Sequence, residues 1–353
     1  MNGISLTGRI DLNALMLRER MTQLGDQIST GRRGNSYADL KSDAPRSMDL
    51  RADIVRREAY QSTIGQALSK IQVTQDILDR IGAVAEKFTA NAAKLMGATK
   101  PEEIQVQAGQ AKAALVEVAN LLNEQYNGEY LFGGSNTKEP PIPDPQNILQ
   151  SGLVTGIKTA VASLNGSNAA SVLAQTKALA MSDAGGVTPF STFLSTEPGK
   201  SEGRRNLLGA DNERIEYGIA ANKNGAVKSS GETTDSWARD LLRGLASIAE
   251  LTPEKSQLGD SYTTFITTVQ QGLKASVNAL ALERGALGVT EARMQSVKDL
   301  HETVTTTLTL QVSEIEEVDM AKTITSFQAK QMQLEASYRA LAIAQQLSLT
   351  RFL

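Results

Sequence analysis

The chain has 353 residues, with 36 Lys and Arg against 39 Asp and Glu, one His and no Cys, for a formal net charge of −3. The missing thiols exclude disulfides, thiolate metal sites, iron–sulfur clusters and thiol nucleophiles, and a single His301 excludes His-rich metal sites. The charge balance leaves no electrostatic footprint for nucleic acid, and no stretch approaches the roughly 18 uninterrupted apolar residues of a membrane span.

Aromatic residues make up only 4% of the chain, which fits thin helical layers filled by Leu, Ile, Val and Ala. Proline divides it. Most of the nine prolines fall between 140 and 198, and residues 1–44, 46–100 and 254–353 have none. Proline breaks helix interiors, so the two ends can be long helices and the middle cannot.

In the first segment Ile10, Ala14, Leu17, Met21, Leu24 and Ile28 recur at alternating spacings of 4 and 3. So narrow a heptad stripe needs a partner helix. Gly31 and Gly34 stop it, and residues 35–45 read as a turn-rich connector. Residues 46–97 read as one long helix with Ile54, Ile64, Leu68, Ile71, Leu78, Ala85 and Phe88 on its apolar side. Pro101, followed by Glu102 and Glu103, opens the next helix, which runs through Ile104, Ala108, Leu115, Val118 and Leu122. NGEYLFGGSNTKEPPIPDP then reads as turns leading into another domain.

Residues 146–235 hold two weakly periodic helical stretches, Gly, Ser, Asn and Pro clusters, and a candidate strand in RIEYGIAA at 214–221. Helix returns at Trp237 as one amphipathic segment closed by Thr252 and Pro253. From about 261 to 351 the pattern stays helical throughout. Met320, Ile324, Phe327, Leu334, Tyr338 and Leu341 form an apolar stripe beside a flank of Ala321, Ala329, Ala336, Ala340 and Ala344.

The expected fold is mainly α: a long antiparallel helical coiled coil and bundle built from both termini, with an inserted small α+β domain. Residues 1–44 with 316–353 form the terminal coiled coil, 45–142 with 236–315 the helical bundle, and 143–235 the insert. The assembly seam is Ile10, Leu17, Met21, Leu24 and Ile28 against Ile324, Phe327, Leu334, Tyr338, Leu341 and Leu347. A lone two-helix unit buries little apolar area, which points to ordering against neighbouring subunits.

Chemistry is sparse, and no catalytic, cofactor or metal residue is expected. PGKSEG at 198–203 lacks the first glycine of a phosphate loop, since Leu194 stands there, and reads as a surface loop. His301 reads as a solvated or interface helix position without a pocket or nucleophile, and the acidic run 313–319 as a solvated face. Trp237 reads as core, and the Arg pairs are scattered.

Four stretches carry a family likeness: QISTGRRGNSYADLKSDAPRSMDLRADI (27–54), NGEYLFGGSNTKEPPI (127–142), LERGALGVTEARMQ (282–295) and the terminal 318–353 with its LEASY and LSL. In these the chain resembles the bacterial flagellin family, and within it the branch of hook-associated protein 3, the hook–filament junction proteins. A filament-forming flagellin is the alternative, and a cytoplasmic coiled-coil protein or an unrecognised enzyme lies further off. One departure is Ser42-Asp43-Ala44-Pro45, where many relatives have Asp-Asp-Pro or Asp-Asp-Ala. The resemblance implies a non-enzymatic extracellular subunit of the flagellum whose paired terminal helices line a tube. It would be exported by the flagellar type III pathway without a cleaved signal peptide. The implied partners are copies of itself in a ring or tube, hook-associated protein 1, flagellin, and an export chaperone on the terminal helix. Neither nucleic acid nor membrane insertion is implied.

Overall fold

The computed structural model describes the backbone of residues 6–97 and 100–349, and side-chain surroundings over 12–97 and 100–343. In chain order the elements are α1 (Leu6–Thr30), α2 (Ala44–Leu95), α3 (Pro101–Leu122), β1 (Gln125–Tyr126), β2 (Glu129–Tyr130), α4 (Gly152–Ala162), α5 (Ala169–Met181), α6 (Thr192–Ser195), β3 (Arg205–Ala210), β4 (Glu213–Tyr217), α7 (Trp237–Ala249), α8 (Asp260–Glu316) and α9 (Met320–Leu349). The protein is mainly α, a bundle of long helices from both termini with a small α+β insert. The chain divides into two compact units, Met1–Ala59 with Leu300–Leu353, and Tyr60–Asp299; α2 and α8 contribute residues to both.

In the Tyr60–Asp299 unit, α2 and α8 run antiparallel on two seven-residue repeats. Ile64, Ile71, Leu78, Ala85 and Ala92 of α2 are fully buried, as are Ile266, Leu273, Leu280, Leu287 and Met294 of α8. The register is marked by Gln75 Nε2 donating to Glu291, by an ion pair between Arg284 and Asp79, and by the Tyr262 hydroxyl donating to Leu95 O at 3.1 Å. Burial raises the Tyr262 phenol to about 12, so it stays a donor at any ordinary pH. Pro101 takes the first turn of α3, where its missing N–H costs nothing.

The hairpin β1–β2 turns on Asn127 and Gly128, both with positive φ, the pair that a tight two-residue hairpin demands. Leu131 and Phe132 then enter the core, and Phe132 meets Trp237 edge-on at 6.4 Å between ring centroids. The strand expected in 214–221 is β4, paired antiparallel with β3.

The helix expected to be amphipathic, α7, is buried along its whole length, Arg239, Asp240 and Arg243 included. Its polar stripe faces the insert instead of water. Arg239 donates to Asn222 O and Ala180 O and pairs with Asp183. Arg243, one turn on, donates to Thr176 Oγ1 and Leu173 O and pairs with Glu232. Burial raises the carboxyl of Asp240, against hydrogen bonds from Thr233 and Thr234 and the nearby Arg243 charge. Trp237 is fully buried, as a core residue should be.

The long helix expected over 261–351 is broken at Glu317–Asp319. There Val318 N donates to Gly31 O at 3.0 Å, and Glu316 O accepts from Arg33 N at 2.7 Å. Both groups serve the α1–α2 connector and not a continuing helix. Asp319 then caps α9, its Oδ1 accepting from Lys322 N at 3.0 Å.

Candidate assembly interface

The terminal helices α1 and α9 pair within the Met1–Ala59 and Leu300–Leu353 unit. On α1, Ala14 and Leu24 are buried, and Leu17, Met21 and Ile28 are half-buried. On α9, Thr323 is buried and Phe327, Leu334 and Leu341 are half-buried. Ile324 and Tyr338, expected on the same stripe, are 39% and 49% exposed. The 3- and 4-residue spacing defines two adjacent stripes on α9, and the inward one runs through Thr323, Phe327, Lys330, Leu334, Ser337 and Leu341. The side chains of Ile10 and Leu347 lie outside the described residues.

The inward face of α9 is partly polar, carrying Thr323, Lys330 and Ser337. An open groove of about 440 Å³ between the two helices is lined by Asn13, Met16, Leu17, Arg20, Lys330, Gln333 and Ser337. Outward, Leu12, Leu15 and Met16 on α1, and Met320, Ile324, Met332, Tyr338 and Ile343 on α9 are exposed, among charged side chains such as Arg18, Glu19, Glu335 and Arg339. The small Ala321, Ala329, Ala336 and Ala340 are exposed too. Large apolar side chains are thus left outward along both helices.

At one end the pair is anchored by a cluster that the sequence reading missed. Gly31 ends α1 in the left-handed region (φ 70°), its N–H returning to Gln27 O. Gly34 is required by close approach, since any Cβ there would collide with Asp39. Asp39 Oδ2 accepts from the backbone N–H and hydroxyl of Ser36 and from Asn35 N, which holds its carboxyl below the usual range. Arg32 bridges Glu317 through the backbone. Glu316, expected on a solvated face, instead accepts from Ser47 Oγ at 2.6 Å and from Arg51 Nε at 2.7 Å, with a second arm from Arg51 Nη2.

The Arg51 fork, backed by Ser47 and the Arg32 charge, outweighs partial burial and holds the Glu316 carboxyl down at about 2, against an ordinary 4.5. A depressed acid stabilises the fold above its ordinary value and loses that contribution as pH falls from 4.5 towards 2. Because Arg51 is half-exposed and screened by water, the contribution is about 1 kcal/mol. Glu316→Gln should therefore be less stable than the parent at pH 7. The gap should close as both are unfolded in denaturant at successively lower pH down to 2. A gap that stayed constant with pH would refute the ion pair.

Within the connector Lys41 sits at φ 53° and ψ −117°, a conformation suited to glycine. Lys41→Gly should raise stability by about 1 kcal/mol, the relieved strain exceeding the added chain entropy. A lower denaturation midpoint would show that no strain is held there.

Residues singled out for chemistry have structural places. His301 is not solvated: it is 3% exposed, with Nδ1 at 3.3 Å from Arg57 Nη1 of α2. Lys200 pairs with Asp183 at 2.7 Å. Glu283, within LERGALG, is fully buried and accepts from the N–H groups of Gly225, Ala226 and Val227, pinning that loop. Among the described residues no cluster of His, Asp and Glu has the makings of a metal site, and no helix is long and apolar enough to cross a membrane.

The bacterial flagellin N-terminal helical region matches residues 11–137, and the bacterial flagellin C-terminal helical region matches residues 270–353. Together these cover more than half of the chain. The chain belongs to the bacterial flagellin family. The matches fall on the helices α1–α3 and α8–α9, and leave α4–α7 between them. No curated protein matches the chain in a direct sequence comparison. Membership makes this flagellin-family protein a structural subunit of the extracellular bacterial flagellum, one that self-assembles into the flagellar polymer.

Proposed function

We propose that this subunit is a hook–filament junction protein of the hook-associated protein 3 type. It would join hook-associated protein 1 to the first flagellin subunits through its terminal helices. The observation that carries this is the Tyr130-Leu131-Phe132-Gly133-Gly134 stretch with Thr137, Pro140 and Pro141, which resembles the junction branch more than filament flagellins. The stretch is integral to the fold. Phe132 packs on Trp237, Phe132 O accepts from Ala221 N, and the Asn123 side chain clamps the backbone of Ile142 from both sides.

In this reading residues 1–44 with 316–353 form the inner tube layer, 45–142 with 236–315 the second layer, and 143–235 the outer domain. The seam would be Ile10, Leu17, Met21, Leu24 and Ile28 with Ile324, Phe327, Leu334, Tyr338, Leu341 and Leu347. The half-buried members would close each pair, and the exposed Ile324 and Tyr338 would meet the next copy. Export would need no cleaved signal peptide, and a chaperone would cover the terminal helix before assembly. The test is labelling of detached flagella carrying a tagged copy. Signal confined to the hook–filament boundary is expected; signal along the shaft would make the protein a filament flagellin and overturn the junction role.

A further inference from the structure

We propose that Glu316 is a positioning residue for assembly: clamped by Ser47 and Arg51, it fixes the direction in which the α1–α9 arm leaves α2 and α8. The inference rests on the chain being a subunit that assembles into the flagellum, not on the junction role.

Among the described residues, this unit has two places where the direction of a helix can change. One is the connector between α1 and α2; the other is the non-helical Glu317–Asp319 between α8 and α9. They lie side by side and are tied to each other. Gly31 O accepts from Val318 N, Arg33 N donates to Glu316 O, and Arg33 Nε donates to Glu317 O at 3.1 Å. These backbone ties join the connector to the break but do not reach α2. Glu316 ties the break to the start of α2, at the opposite end of this α2–α8 contact from Arg57 and His301. Its side chain, only 13% exposed, takes Ser47 Oγ and both arms of the Arg51 guanidinium, groups on the first two turns of α2. A carboxylate that accepts a two-armed guanidinium and a hydroxyl has its orientation fixed as well as its charge paired. One side chain at the end of α8 therefore sets α2 against both breaks. Without it the arm keeps its own pairing of α1 with α9 but loses its fixed exit angle. A subunit packing helices in a tube needs that angle reproduced in every copy.

The test is replacement of the parent gene by variants, followed by measurement of the protein in purified flagella and in the culture medium. Glu316→Ala should reach the medium in normal amount, while the fraction in flagella falls by about tenfold or more, equivalent to about 1.4 kcal/mol of assembly free energy. Arg51→Lys keeps the charge but offers one point contact in place of a fork, so an intermediate loss of about threefold is expected. The exchanged pair Arg51→Glu with Glu316→Arg should recover most of the incorporation that either single exchange loses, since the contact and not either residue is required. Normal incorporation of Glu316→Ala would overturn the proposal. So would an exchanged pair no better than its singles, or absence of Glu316→Ala from both medium and flagella, which would assign the cluster to folding or export. These readouts are amounts, independent of where along the flagellum the protein sits, so they stand apart from the labelling result.

Discussion

Arg239→Met is expected to destabilise the Tyr60–Asp299 unit by about 3 kcal/mol, a large share of a domain's total stability. Arg239 is 7% exposed and its guanidinium has all its arms engaged. Nε donates to Asn222 O at 2.9 Å, Nη1 to Ala180 O at 2.8 Å and Nη2 to Asp183, while Cζ lies 5.2 Å from the Phe190 ring centroid. Burial opposes the charge of Asp183, but hydrogen bonds from Lys200 and Arg239 outweigh it and hold the carboxyl below its ordinary value. Methionine fills the space of the stem but leaves two buried carbonyls without a donor and Asp183 with Lys200 alone. Losing a partner from a buried group costs more than the bond was worth net, because the remaining group cannot return to water. Denaturant unfolding measures the loss. Lys228→Met, on an exposed position of the same region, should change stability by no more than about 0.5 kcal/mol. Limited proteolysis should cut Arg239→Met first within 183–235, where the lost contacts lie. Unfolding of Arg239→Met at the parent's denaturant concentration would refute this account of α7.

That prediction rests on a feature the sequence hides. The long helices were legible because their repeats are simple: Ile64, Ile71, Leu78 and Ala85 stand seven apart, and each one is buried. Gly31 as the stop of α1 and Pro101 as the start of α3 were legible because backbone chemistry admits few alternatives there. The environment of α7 was not. An amphipathic pattern shows which face is polar, not whether water or another part of the chain covers it, and here carbonyls of the insert do. The Glu316 cluster was illegible for a related reason. Ser47 and Arg51 lie more than 260 positions from Glu316 in sequence, and an acidic run beside a helix end has no local mark separating a solvated carboxylate from a clamped one. The same ambiguity put Ile324 and Tyr338 on the inner stripe of α9. Spacings of 3 and 4 fit both that stripe and its neighbour, and only the position of α1 chooses between them.

Leu24→Asp should abolish incorporation into flagella while the Tyr60–Asp299 unit keeps its parental unfolding midpoint. Leu24 is 5% exposed, the most deeply buried large side chain described on α1. A carboxylate there must either give up its charge or open the pair, at a cost of about 3 kcal/mol or more. The α1–α9 pair has little to set against that cost, because its inward face already carries Thr323, Lys330 and Ser337 and most of its apolar members are only half-buried. The other unit has its own core around Phe88, Trp237 and Phe265. Leu341→Asp, on the facing helix, should behave alike, more mildly because Leu341 is half-buried. Leu15→Asp provides the contrast. Leu15 is 66% exposed on the outward face, so its substitution leaves the pair intact and any loss of incorporation comes from contacts with other copies. If Leu24→Asp assembles normally, the pairing of α1 with α9 is not needed in the flagellum. If Leu15→Asp assembles normally while Leu24→Asp fails, the apolar outer face is not the contact surface, and the pair works through its inner seam alone.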